Sequence, residues 1–176
     1  HISTTIFARF PVIKTSLDII SNFEIIIWTT TPWTMPGNRA VAYGKNIEYS
    51  LIEVTNVGEN SLAKIGDKII IAKELVEEVM KEISVLSFNS SNTLKGSDFA
   101  GTILSHPLNN YGYEHEVLLL EADFVTTDQG TGFVHIAPGH GADDFELGRQ
   151  NNLPIPETVS DNGILNSDLP LLGLSL

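Results

Sequence analysis

The six residues Glu24–Thr29, reading EIIIWT, restrict the possible folds of this chain more than any other stretch. Isoleucines, a tryptophan and a threonine follow one another without polar alternation, the pattern of a central strand covered on both faces. The run then meets Pro32 and Pro36. Proline lacks the backbone donor that a helix interior or a central strand requires, so regular structure is expected to stop there. A rigid strand thus delivers an irregular loop bearing Thr29, Thr30, Thr31, Trp33, Thr34 and Asn38.

A second loop concentrates the remaining polar chemistry. In Gly130–Gly148, GTGFVHIAPGHGADDFELG, the turn glycines Gly130 and Gly132 can adopt positive φ without a Cβ clash. Phe133–Ile136 reads as a short, largely buried strand, and Pro138–Gly141 breaks it. Asp143 and Asp144 open a helix expected over Asp143–Gln150, where carboxylates are favoured by the free N–H groups and the helix dipole. Two acids beside a glycine-rich loop with His135 and His140 exceed the needs of capping and mark a candidate site.

Elsewhere the chain reads as scaffold. Strands are expected at Thr4–Val12 (with Pro11 marking an edge), Ala40–Tyr43, Ile47–Val54, Lys68–Ala72, Val85–Phe88, Phe99–Leu104 and Val117–Val125. Lys73–Ile83 is the clearest helix, with Leu75, Val76, Val79, Met80 and Ile83 on one stripe and a solvated acidic face opposite. Ser87–Asn92 reads as a polar loop, and His106 and His115 as ordinary loop histidines without ligand spacing. Many short strands with two helices imply an α+β fold, a mixed, barrel-like β-sheet core with a few short helices. One domain is expected over 1–176, with 151–176 as an exit segment.

Composition narrows the function classes. Cysteine is absent, which removes a thiol nucleophile, disulfides and thiolate metal sites and fits a cytoplasmic protein. No run is long and apolar enough for a membrane span, and no signal-peptide pattern is read at the start. With 22 acidic against 10 basic residues the net charge is −12, which argues against broad, unaided nucleic-acid binding. Neither a nucleophile elbow nor a Walker-type phosphate loop is present. A metal site can be drawn from His135, His140, Asp143 and Asp144, though at no established metal spacing. Hydroxyls and a histidine around an acid suit anchoring of a small polar substrate and positioning of water.

Together the two loops resemble the inserted editing domain of isoleucyl-tRNA synthetases. WTTTPWTMPGNRAVA at 28–42 is similar to that domain's threonine-rich signature, and GTGFVHIAPGHGADDF at 130–145 to its second signature. Valyl and leucyl enzymes carry Thr-Thr-Arg-Pro in the first motif and usually an Ala-His segment at the end of the second, so the isoleucyl type is the closer match. The resemblance implies a class I synthetase editing-domain fold and hydrolysis of valyl-tRNA(Ile) to valine and tRNA. Adenylation motifs are lacking, so ATP, Mg and any Zn belong to the full-length enzyme; no cofactor or metal is expected in this domain.

The same resemblance assigns residues. Asp144 matches the essential acid and would pair with the α-ammonium of valine, while Thr30 and Thr31 would hold substrate and the attacking water. His135 matches the discriminating histidine, a steric wall. Thr29, Thr34, Asn38 and Trp33 would contact the substrate or stack on the 3′-terminal adenosine, with Gly139, His140 and Gly141 shaping the loop and Asp143 serving as a cap or as a substrate-site group behind Asp144. The implied partners are the 3′ end of mischarged tRNA(Ile) and the rest of the synthetase in cis. A valyl-type domain clearing threonine, a non-catalytic aminoacyl-nucleoside binding module and a metal-dependent hydrolase are the alternatives.

Overall fold

The structure, a computed structural model, describes residues 4–166 and Leu169. Strands β1 (Ile6–Lys14), β2 (Glu24–Thr29), β3 (Ala40–Tyr43), β4 (Glu48–Val57), β5 (Lys68–Ala72), β6 (Val85–Lys95), β7 (Ile103–Ser105), β8 (Glu116–Glu121) and β9 (Phe133–Ile136) form one mixed sheet. The order is β6-β4-β5-β2-β1-β7-β8-β3-β9. Two pairs are parallel, β2 with β5 and β3 with β8; the others are antiparallel. The sheet is barrel-like without closing. It curls so that the turn before β9 meets β2, where the Thr131 hydroxyl donates to the Ile26 carbonyl (2.6 Å).

Interior position explains the composition of β2. It lies between β1 and β5, and Ile25, Ile26 and Ile27 are all buried. β3 is buried at all four positions, AVAY, between β8 and β9. The principal core gathers Phe10, Ile25, Leu51, Ile70, Phe99 and Phe133, among others. A smaller cluster of Ala40, Ala42, Ala122, Val125, Ile136 and Leu147 seats helix α2 (Ala142–Gln150) against β3 and β9. The expected amphipathic helix is a 3-10 turn, Lys73–Leu75, continued by α1 (Val76–Glu82). Its apolar stripe is buried as expected.

Several expectations are corrected. Ser87–Asn92 is not a loop but part of the eleven-residue β6, an edge strand paired only with β4. Both of its faces are largely exposed, so burial imposes no alternation on its sequence. Phe99–Leu104 divides into a 3-10 turn, Gly96–Phe99, and the short β7. β1 is not an edge: it pairs with β2 over Ile6–Pro11 and with β7 beyond. Val12 N–H donates to Phe23 O (3.0 Å), so in the alternating backbone Pro11 directs its missing donor away from β2. The expected exit segment is structured in part, with a bridge between Val159 and Leu165; its remainder lies outside the described residues. Among the described residues, no helix is long and apolar enough to cross a membrane.

Candidate active site

The threonine loop is a 3-10 helix, Pro32–Gly37, rather than the irregular segment expected. Pro32 occupies its first turn, where no donor is needed, and the i→i+3 bonds Thr34 N→Thr31 O and Asn38 N→Met35 O (3.0 Å each) bracket the missing donor of Pro36. Thr29 Oγ1 accepts from Thr31 N (3.1 Å) and lies 3.2 Å from Thr31 Oγ1. Thr34 Oγ1 donates to Thr31 O (2.8 Å). These local bonds fix three hydroxyls on a short arc.

The second loop is held from beneath. Gly130 and Gly132 have φ of 79° and 81°, as expected of turn glycines. A Cβ on Gly132 would stand 2.2 Å from the Cβ of Ala72, so only glycine fits the approach of the turn to β5. The buried Tyr49 hydroxyl donates to Gly132 O (2.6 Å) and accepts from Gly44 N (2.9 Å). After β9, Ala137 N donates to Asp144 Oδ2 (2.8 Å), and His140 N to Ala137 O (2.9 Å). Asp144 therefore braces the loop from the first turn of α2, and Gly141 leaves room for its carboxylate.

The loops meet at His135. The Asn38 amide donates to Ala40 O (2.9 Å) and to His135 Nδ1 (2.8 Å). With Nδ1 accepting, the imidazole proton sits on Nε2 and is donated to Thr34 Oγ1 (2.7 Å), whose own proton goes to Thr31 O. Burial first, then the neighbouring His106 and His140, pushes His135 down to about 4, so the ring is neutral near pH 7. Above it is a cavity of about 250 Å³ lined by Trp28, Thr29, Thr31, Thr34, Val134, His135, Ala137, His140 and Asp144. Burial raises Asp144 above the ordinary aspartate range, although the N–H groups of Ala137 and of Asp144 itself oppose the rise.

Comparison with known proteins gives this geometry a family. The family model described as leucyl-tRNA synthetase, editing domain, matches residues 22–169. The chain belongs to the aminoacyl-tRNA synthetase editing-domain family. It is similar to isoleucine–tRNA ligase of Pelagibacter ubique (44% identical over 171 residues, 97% of this chain and 18% of that protein). The corresponding figures for the Gluconobacter oxydans ligase are 45% over 163 residues, 92% and 17%. Those relatives make it an editing domain of the isoleucyl type, and the chain spans under a fifth of their length. In fold it is similar to the P. knowlesi cytosolic leucyl-tRNA synthetase editing domain (TM-score 0.64, 11% identity, 84% of this chain and 63% of that one). The crystal structure of GlLeuRS-CP1 gives a TM-score of 0.62 at 15% identity, covering 84% of this chain and 59% of that one.

The editing domain brings together most, though not all, of the residues expected from its sequence. Thr29, Thr31, Thr34, His135, His140 and Asp144 line one cavity. Asn38 is fully buried behind His135, positioning the ring instead of meeting the cavity. Thr30 and Trp33 are exposed on the loop outside the lining, Trp33 by 54%. Gly139 also lies outside it, near Pro156 O. Asp143 does not line this cavity. Successive helical residues diverge by about 100°, and Asp143 lines a separate cavity with Glu121, Asp123 and Glu146. Neither aspartate caps α2 through its side chain at the N-cap position, which is Gly141.

Sequence reasoning missed four contributors. Trp28 enters the lining from the end of β2, and Val134 and Ala137 from β9 and its exit. Thr158, buried in the expected exit segment, has its hydroxyl 2.6 Å from His140 Nε2. Nothing in the local pattern of Thr158 marks it. His106 and His115 are also more than loop histidines: His106 is buried with Nε2 donating to Met35 O (2.9 Å), and His115 Nε2 is 3.0 Å from Asn38 O.

Proposed function

We propose that this editing domain hydrolyses the ester of valyl-tRNA(Ile), releasing valine and intact tRNA. One observation carries the reading: a small cavity unites the Asp144 carboxylate, three threonines and a histidine with both ring nitrogens already bonded inside the protein. In the proposed step a water oxygen attacks the ester carbonyl carbon and the acyl C–O bond to the terminal ribose breaks. The ribose oxygen leaves with a proton.

Asp144 supplies charge for the substrate's α-ammonium. An arriving ammonium lowers its pKa from the raised value of the free site, which makes the carboxylate an anchor and a poor general base. Thr31 is assigned to the water, and the terminal ribose hydroxyl to the proton. Thr30 and Trp33, exposed on the same loop, are assigned to the terminal adenosine, Trp33 by stacking.

Size supplies the discrimination. One methylene is worth only about 1–3 kcal/mol in a binding pocket, so a smaller second pocket is needed to reject valine after it has been attached. His135 is the wall against isoleucine. Because Nδ1 and Nε2 are occupied by Asn38 and Thr34, the wall offers no free donor to a threonine hydroxyl, which favours valine as substrate. The same occupancy counts against the His135 ring as a metal ligand; no cofactor is assigned. The charge of −12 supports assigning the main grip on tRNA to the remainder of a synthetase.

A deacylation assay with valyl-, isoleucyl- and threonyl-tRNA(Ile) tests the reading, comparing the chain with its Asp144→Ala variant. Hydrolysis of valyl-tRNA that is spared for isoleucine and lost in the variant is expected. Binding of a non-hydrolysable valyl-adenosine without turnover would indicate a binding module. Activity lost to a chelator and restored by zinc would indicate a metal-dependent hydrolase.

A further inference from the structure

Arg39 stands apart from the other arginines. Arg9 pairs with Glu24 and Asp67, and Arg149 with Glu146. Arg39 is half-buried, and among the described residues no carboxylate lies within ion-pair distance of it. Its Nη1 instead donates to Asn38 O at 2.6 Å and to Pro36 O at 3.4 Å, and lies 3.1 Å from His115 Nε2. Carbonyls at the end of a helical turn lack partners within it, and a cation there satisfies them. His106 Nε2 gives Met35 O, which already accepts from Asn38 N, a second donor from a stacked position on Tyr113 (ring centroids 4.9 Å).

The consequence runs through Asn38. Its backbone carbonyl is held by Arg39 and His115, while its buried amide fixes the acceptor nitrogen of His135. A shift of the Asn38 backbone therefore moves the wall. It also removes the reason for the imidazole proton to stay on Nε2, opposite Thr34.

We infer that Arg39, aided by His115, is a positioning residue that sets the tautomer and tilt of the His135 ring and thereby the selectivity of the editing cavity. The selectivity part rests on the proposed valyl-tRNA hydrolysis; the tautomer part does not. Two readouts separate them. The first is the ¹⁵N NMR spectrum of histidine-labelled protein. A single Nε2–H tautomer is expected for His135 in the native chain, a mixture in Arg39→Ala, and recovery of the native pattern in Arg39→Lys, which restores a donor to Asn38 O. The second is the ratio of valyl- to isoleucyl-tRNA(Ile) deacylation, expected to fall about tenfold in Arg39→Ala, since small misplacements of site groups cost one to two orders of magnitude.

Unchanged His135 shifts in folded Arg39→Ala would overturn the inference. If that variant does not fold, Arg39→Met takes its place, since it keeps an apolar stem while removing every donor to Asn38 O; unchanged shifts there would overturn it equally. Absence of valyl-tRNA hydrolysis by the native chain would refute the proposed reaction, and the NMR readout would still decide the role of Arg39.

Discussion

Replacing Asp144 with asparagine isolates charge from shape at the centre of the site. Asparagine can still accept the Ala137 N–H through its side-chain oxygen, as Asp144 does at 2.8 Å, so the loop keeps its brace. What disappears is the negative charge offered to an ammonium. A hydrogen bond to a charged group contributes about 1.5–3 kcal/mol. At about 1.4 kcal/mol per factor of ten, the substitution should lower kcat/KM for valyl-tRNA roughly 10- to 150-fold. Alanine also removes the brace and should cost more. The pH profile provides an independent check. Burial raises the Asp144 pKa in the free site, so native activity should begin to fall, as pH is lowered, above the range of an ordinary aspartate. The asparagine variant should lack that limb. Deacylation measured from pH 4 to pH 8 decides the matter, and full activity in Asp144→Asn with loss in Asp144→Ala would refute charge pairing.

Other outcomes follow from the same geometry. His135→Ala should remove the wall and admit isoleucyl-tRNA to hydrolysis, read as the appearance of free isoleucine; a variant still inert toward it would remove the ring from the selectivity argument. Burial pushes His106 down to about 4, as it does His135, so the unfolded chain takes up protons first on acidification. Stability present above pH 6.5, the ordinary histidine value, should therefore be lost as pH falls toward 4. Urea unfolding across that window should show a flatter dependence in His106→Gln. Gly132→Ala combines a φ of 81° with a Cβ placed 2.2 Å from that of Ala72. Strain and overpacking together should destabilise it by about 2–5 kcal/mol in equilibrium unfolding. Tyr49→Phe should cost about 1–3 kcal/mol, because Gly44 N–H and Gly132 O lose a buried partner.

The sequence by itself determined the features whose cause is local. The isoleucine run was legible as β2 because an interior strand needs apolar residues on both faces, and β3, β5 and β9 followed from similarly short runs. Gly130 and Gly132 were legible because only glycine takes positive φ freely. The two signatures pointed to the family through residue identity alone. Tertiary structure decided the rest. The polar β6 looked like a loop because an exposed edge strand has no core to impose a period. Asp143 and Asp144 are neighbours in sequence, yet the helical rotation sends them to different cavities. Asn38 and Thr34 meet His135 across 97 and 101 residues, while Thr158 reaches His140 from a stretch that reads as linker. A propensity or a turn is written in adjacent residues, whereas the partner of a buried hydrogen-bonding group is chosen only when the curled sheet brings distant segments together and excludes water from between them.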